Sequence, residues 1–127
     1  MSEESRLRAL REVLEAFNRH DLDAIMTHFA EECVFESPRG PNPWGNRVEG
    51  LDQVRQGLAA RFEGIPDVHY GDETHFVAAD RGVSEWTLTG TTTAGERIEV
   101  RGCDLWTFAE DGRIVRKDSY WKLREPS

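Results

Sequence analysis

Three turn signals divide the second half of the chain and leave it few ways to fold. They fall at Asp80-Arg81-Gly82, Ala94-Gly95 and Asp111-Gly112. Glycine beside a short polar residue marks a tight turn. Between and around them lie four extended segments, about residues 67–79, 83–92, 97–109 and 113–123. Thr, Val and aromatic residues fill them, as strands prefer. Strands joined by such short turns pair antiparallel, so the sequence predicts a four-strand meander.

The first half has a different period. Leu7, Leu10, Val13, Leu14 and Phe17 recur at three- and four-residue spacing, which makes one apolar helix face. Ser2, Glu3 and Glu4 suit the positive end of that helix. "NRHD" (18–21) breaks it. Asp21 can cap a second helix, on which Leu22, Ile25, Met26 and Phe29 fall at i, i+3, i+4 and i+7. "CVFE" (33–36) predicts a short strand. "SPRGPNPWGNRVEG" (37–50), with three prolines and three glycines, predicts a loop. A third helix carries Leu51, Val54, Leu58 and Phe62 on one face and ends at "GIP" (64–66). Helices first and a meander afterwards is an α+β pattern, three helices against one face of a curved antiparallel sheet.

At 127 residues the chain predicts one domain over 1–127, large enough to bury one real core. Apolar residues are 38% and charged residues 31%. No apolar run approaches the ~18 residues of a membrane span. "MSEESRLRAL" lacks the basic start and apolar stretch of a secretory leader, so a cytoplasmic protein is expected. Cys33 and Cys103 show no CxxC spacing and are expected to be reduced. The net charge of −8, without a basic cluster, argues against a nucleic-acid partner.

The segment "ERIEVRGCDLWTFAEDGRI" holds the strongest functional signal. Side chains alternate faces along a strand. One face collects Ile98, Val100, Gly102, Asp104, Trp106 and Phe108, and the other Arg97, Glu99, Arg101, Cys103, Leu105 and Thr107. A carboxyl group in an apolar stripe is a candidate proton donor or acceptor near neutral pH. The alternative is a structural carboxylate bonded to backbone or a neighbouring tyrosine. Trp44, Trp106 and Trp121 either pack the core or line a pocket, with Trp44 placed as a lid by its Pro/Gly loop. His69 and His75 share a parity but lie too far apart to bind a metal without a third ligand, and no metal site is expected. Ser37 lacks the elbow of a nucleophilic serine. Lys117 is either an exposed lysine or the partner of a pocket carboxylate.

Four stretches, "AFNRHDLDAIMTHFAEECVFESP", "VEGLDQVRQGL", "GTTTAGERIEVRGCDLWTFAEDGRI" and "DSYW", span nearly the whole chain. In their order and content the chain resembles the nuclear transport factor 2 superfamily. Within it, the chain looks like the ketosteroid-isomerase-like and SnoaL-like polyketide-cyclase branch. The resemblance implies a cone whose sheet curls around the helices and encloses a deep, mostly apolar pocket, in a homodimer formed through the outer sheet face. It places Asp104 where ketosteroid isomerases hold an aspartic acid that donates a hydrogen bond to a developing oxyanion. Phe17, Ser37, Trp44, Trp106, Phe108, Ser119 and Trp121 would line the pocket. Three positions depart from the relatives. Ser37 stands where the isomerases carry a proton-shuttling aspartate, and Val13 where they carry an oxyanion-hole tyrosine. Ser119, with Asp118 beside it, stands where cyclase-like and epoxide-hydrolase-like relatives carry an aspartate.

The expected function is cofactor-free proton transfer of the isomerase, cyclase or dehydratase type on an apolar carbonyl or enol metabolite. The alternatives are a non-catalytic domain that binds a small hydrophobic ligand, and a dimerisation module with a vestigial pocket.

Overall fold

The computed structural model describes residues 2–126. Helix α1 spans Glu3–Asn18 and α2 Leu22–Met26, followed by strands β1 (Phe29–Asn42) and β2 (Gly45–Glu49). Helix α3 (Leu51–Gly64) then leads into the meander β3 (His69–Ala78), β4 (Arg81–Thr91), β5 (Arg97–Phe108) and β6 (Ile114–Trp121). The four meander strands fall where the turn signals place them. Gly95 and Gly112 take φ of 85° and 89° in the last two turns, the left-handed region that glycine enters without a Cβ clash.

Helix boundaries follow local chemistry. Ser2 caps α1 through a capping box with Ser5, and the Asp21 side chain accepts from the amide of Ala24 to start α2. The second helix is shorter than its apolar spacing predicts. It stops at Met26, and Phe29 opens β1 instead, pairing with Ile114. The Thr27 hydroxyl donates to the Ala24 carbonyl at 2.7 Å and closes that last turn.

Residues 37–50 also differ from the expected loop. β1 runs on to Asn42 and folds back as β2 in a hairpin. Pro38 and Pro41 are tolerated because pairing of β1 with β6 ends at Glu36↔Asp118, and the pairing with β2 is irregular between Ser37 and Asn42. Prolines sit in sheets where the ladder needs no N–H.

The six strands form one open sheet in the order β2-β1-β6-β5-β4-β3. All neighbours are antiparallel except β1 and β6, which run parallel. Parallel neighbours need a long connection, and here the whole of α3 and the meander supplies it. The helices cover the inner face. Leu10, Val13, Leu14 and Phe17 of α1 pack with Trp86, Leu88, Trp106 and Phe108 of the sheet in one core. Each such side chain contributes roughly 1.5–3 kcal/mol on burial. This is the α+β cone expected from the sequence. Among the described residues no helix is long and apolar enough to cross a membrane.

Candidate functional site

Strand register assembles the site. Asp104 on β5 lies opposite Ser84 on β4 and Ser119 on β6, while Trp106 faces Lys117 and Gly102 faces both Trp86 and Trp121. All of these side chains point to the inner face, and Asp104 is only 2% exposed. A Cβ on Gly102 would come within 2.6 Å of the Trp86 ring. The space that glycine leaves is therefore occupied by Trp86, whose indole N–H reaches over to Asp104 Oδ2 at 2.9 Å.

The other carboxylate oxygen, Oδ1, accepts from Lys117 Nζ at 2.9 Å and from the Ser119 hydroxyl at 2.5 Å. Lys117 Nζ also donates to Ser119 Oγ at 2.6 Å. Both oxygens of Asp104 are thus acceptors, and no O–H is left to aim at a ligand. The ammonium itself lies 4.9 Å from the ring centroid of Phe35, 5.4 Å from that of Phe17 and 5.6 Å from that of Trp106. Ring faces carry partial negative charge and attract a cation. Burial nevertheless pushes the Lys117 pKa down, with the Asp104 charge opposing the shift. Asp104 and Lys117 form a buried ion pair in which each charge depends on the other.

Above this floor is a cavity of about 10 Å³, lined by Lys117, Ser119, Phe17, Tyr70, Arg61 and Trp121 among others. Beyond it opens a cleft of about 1000 Å³, between the end of α3, the β1–β2 hairpin, the start of β5 and the chain after β6. Phe35, Pro38, Arg61 and Trp121 border both spaces. The Arg61 guanidinium stacks 4.4 Å from the centroid of the Trp121 ring, where both residues border the two spaces. Burial raises the pKa of the Tyr70 phenol, Arg61 opposes the rise and Asp104 adds to it.

The structure gathers four of the expected site residues around the small cavity: Phe17, Ser119 and Trp121 line it, and Asp104 lies directly beneath. Trp106 packs below Lys117, and its indole N–H donates to Ser84 Oγ at 2.9 Å. Phe108 is buried at the far end of β5, with the Arg6 guanidinium 5.9 Å from its ring centroid. Ser37 lines the outer cleft, where its hydroxyl donates to the Arg39 carbonyl at 3.0 Å. Trp44 borders neither space. It sits in the β1–β2 turn, 44% exposed, with Arg47 4.7 Å from its centroid. Ser119 faces inward and Asp118 outward, as the pairing of Ser119 with Asp104 requires.

His69 and His75 do not share a face. An irregularity between Gly71 and Thr74, with Asp72 at φ 49°, shifts the parity of β3. His75 turns inward and bridges Glu73 Oε2 at 2.8 Å and Ser84 Oγ at 2.7 Å. His69 pairs with Thr89 on the outer parity. Among the described residues no three His, Cys, Asp or Glu side chains converge as metal ligands would.

Sequence reasoning missed Trp86, Arg61 and Tyr70. The signal for Trp86 was available in Gly102, since a glycine in a buried strand marks the close approach of a neighbour. Arg61 and Tyr70 carried no such signal, because their positions depend on where α3 and β3 dock.

The SnoaL-like domain description matches residues 10–117. An NTF2-like protein of unknown function from Mesorhizobium loti is 32% identical, covers 95% of this chain and 93% of its own, and superposes with a TM-score of 0.78. A protein provisionally named a polyketide cyclase, from Xanthomonas campestris pv. campestris, has 21% identity, coverage of 96% and 94%, and a TM-score of 0.83. A Bacillus subtilis protein provisionally named an isomerase has 23% identity, coverage of 96% and 90%, and a TM-score of 0.79. No curated protein matches the chain.

Proposed function

Given that the chain belongs to the SnoaL-like domain family, we propose that it is a cofactor-free enzyme of the isomerase or cyclase type, acting on an apolar carbonyl metabolite. One observation carries this reading: a buried lysine, held by Asp104 and Ser119, borders the innermost cavity of an otherwise aromatic cone. The substrate carbonyl oxygen sits against Lys117 Nζ. As negative charge develops on that oxygen, the ammonium stabilises it and then gives up a proton, made easier by its lowered pKa. Asp104 keeps the amine oriented, and solvent or a second substrate group takes the carbon-bound proton. Lys117 fills the oxyanion-stabilising role that the family resemblance assigns to Asp104, and Asp104 becomes its positioning partner. Fixed donors in a dry site stabilise such charge far better than in water. Access requires the Arg61–Trp121 stack to swing aside, because the inner cavity, at about 10 Å³, is too small for a metabolite.

Deuterium incorporation at the α-carbon of an apolar aryl ketone such as α-tetralone, followed by NMR in D2O, tests this. The wild-type protein should accelerate exchange, and Lys117→Met should cut the acceleration by about 10²–10³-fold. Exchange at the buffer rate with wild-type protein, or undiminished exchange with Lys117→Met, would sink the proposal.

The homodimer expected through the outer sheet face belongs to the same proposal. Phe76 and Tyr120 on that face are each 52% exposed, and Trp44 at its edge is 44% exposed. Aromatic surface of this kind favours cover by a second subunit. Light scattering should give twice the 14.5 kDa chain mass, and a purely monomeric species at micromolar concentration would contradict it.

A further inference from the structure

The chain carries 24 acidic and 16 basic residues, yet the outer cleft inverts that balance. Five cations line it, Arg39, Arg61, Arg97, Lys122 and Arg124, against three carboxylates, Glu96, Glu99 and Glu125. Among the described residues only Arg124 of these cations has a carboxylate within 4 Å, Glu99 at 3.6 Å. A surface with surplus acid would ordinarily supply partners to the other four.

The imbalance continues inward. Arg61 and Lys117 border the same small cavity, and the Arg61 charge is close enough to oppose protonation of Lys117. Among the described residues Asp104 is the one carboxylate that pairs directly with Lys117, and its two oxygens already accept from Trp86, Lys117 and Ser119. Two cations facing a low-dielectric space with one committed counter-charge leave a positive surplus that favours an anion. Apolar side chains line the cleft as well: Phe35, Val48, Ile98, Val100 and Trp121, the last stacked on Arg61. A guanidinium fork matches a planar carboxylate with two parallel hydrogen bonds.

We infer that the recess running from the cleft past Arg61 to Lys117 binds an aromatic or alicyclic carboxylate, its charge held by Arg61 with support from Arg97 and its ring against Trp121. The cleft, at about 1000 Å³, is within the range of small-molecule sites. This deepens the proposed function, because it rests on the same cavity being a ligand site and adds the charge of what enters. It also gives the Arg61–Trp121 stack a reason to open, since the carboxylate replaces the ring as the partner of the guanidinium.

Calorimetric titration with 2-naphthoate and its neutral isostere 2-naphthamide tests the inference on the full chain. The carboxylate should bind at least tenfold more tightly in low salt. Arg61→Gln should bring the ratio of carboxylate to amide affinity to within about twofold of unity, whatever it does to the affinity for the amide itself. Arg97→Gln, at the exposed start of β5, should reduce the preference partially and serves if Arg61→Gln disturbs the fold, which its thermal melt would reveal. Equal binding of both probes to wild type, or a preference that survives both variants, overturns the carboxylate inference and leaves the ligand site standing. Binding of neither probe at millimolar concentration overturns the inference and the ligand site together.

Discussion

Two carboxylates are buried in this sheet, on opposite faces, and they are neutralised in opposite ways. Asp104 on the inner face is 2% exposed and meets Lys117, whose side chain is itself only 6% exposed. Glu36 on the outer face is fully buried but meets Arg47 and Arg116, which remain 39% and 46% exposed. The outer arginines spread over the carboxylate and keep contact with water. The inner lysine has given up water for three aromatic rings, a serine and one carboxylate. Desolvating both members of a pair rarely adds stability compared with apolar packing. An outer pair of this kind is what a sheet needs to bury a carboxylate. An inner pair of the other kind is stability forgone beside a cavity, which is what the proposed role of Lys117 would require.

The strongest way to break this comparison is to remove each carboxylate. Asp104→Ala strands the Lys117 ammonium in apolar surroundings and should cost about 3–5 kcal/mol in urea unfolding. The double variant Asp104→Leu with Lys117→Met should recover most of that loss, because apolar replacement of a buried pair is often neutral or better. If Asp104→Ala is as stable as wild type, the inner pair is not the mutually dependent unit described here.

Gly102→Ala probes how the inner pair is held. The new methyl would meet the Trp86 ring at 2.6 Å and the Tyr120 carbonyl oxygen at 2.5 Å. The backbone contact cannot be relieved by a rotamer change, so about 1–3 kcal/mol of overpacking is expected, with displacement of the indole from Asp104. Near-ultraviolet circular dichroism of Trp86 against a Trp86→Phe control would follow that displacement. An unchanged spectrum and stability would remove Gly102 from the account.

Glu36→Gln should cost less than Asp104→Ala, about 1–2 kcal/mol, because Arg47 and Arg116 can turn to solvent and only hydrogen bonds are lost. A cost equal to that of Asp104→Ala would erase the distinction between the two faces.

Much of this arrangement was legible in the sequence. The alternation along β5 put Asp104, Trp106 and Phe108 on the inner face, and the turn at Asp111-Gly112 fixed β6 beside it. What escaped was set by contacts distant in sequence. The parity of His75 depended on an irregularity at Asp72 that no residue pattern announces. The β2 strand hid behind prolines that are harmless only because β6 ends its pairing at Glu36. The meeting of Arg61 and Trp121 required α3 to dock beside the end of β6, and Trp44 was drawn to Arg47 on the rim of the outer face. Periodicity reports which face a residue takes. It does not report what waits there.

The smallest effect separates the two faces by pH. Lys117 has a folded pKa below its ordinary 10.5, from burial first, with Asp104 opposing. Between those two values the unfolded chain binds the proton and the folded chain does not, so stability from this group rises with pH. It is fully present above the unfolded value and is lost as pH falls through the folded one. Asp118, on the outer face, has a folded pKa above its ordinary 3.8, from burial first and then the neighbouring Glu36 charge. Its contribution has the opposite sign: present below the unfolded value and lost as pH rises through the folded one. Unfolding free energies measured by urea across both windows should therefore show Lys117→Met flattening the rise of stability toward pH 10.5, the alkaline limb, and Asp118→Asn flattening its fall above pH 3.8, the acid limb. Glu36→Gln should act like a weaker Asp118→Asn, because it removes the like charge that raises Asp118, while leaving the alkaline limb unchanged. If Glu36→Gln alters the alkaline limb as much as Lys117→Met does, the two faces titrate as one network, and the separation of site from scaffold fails.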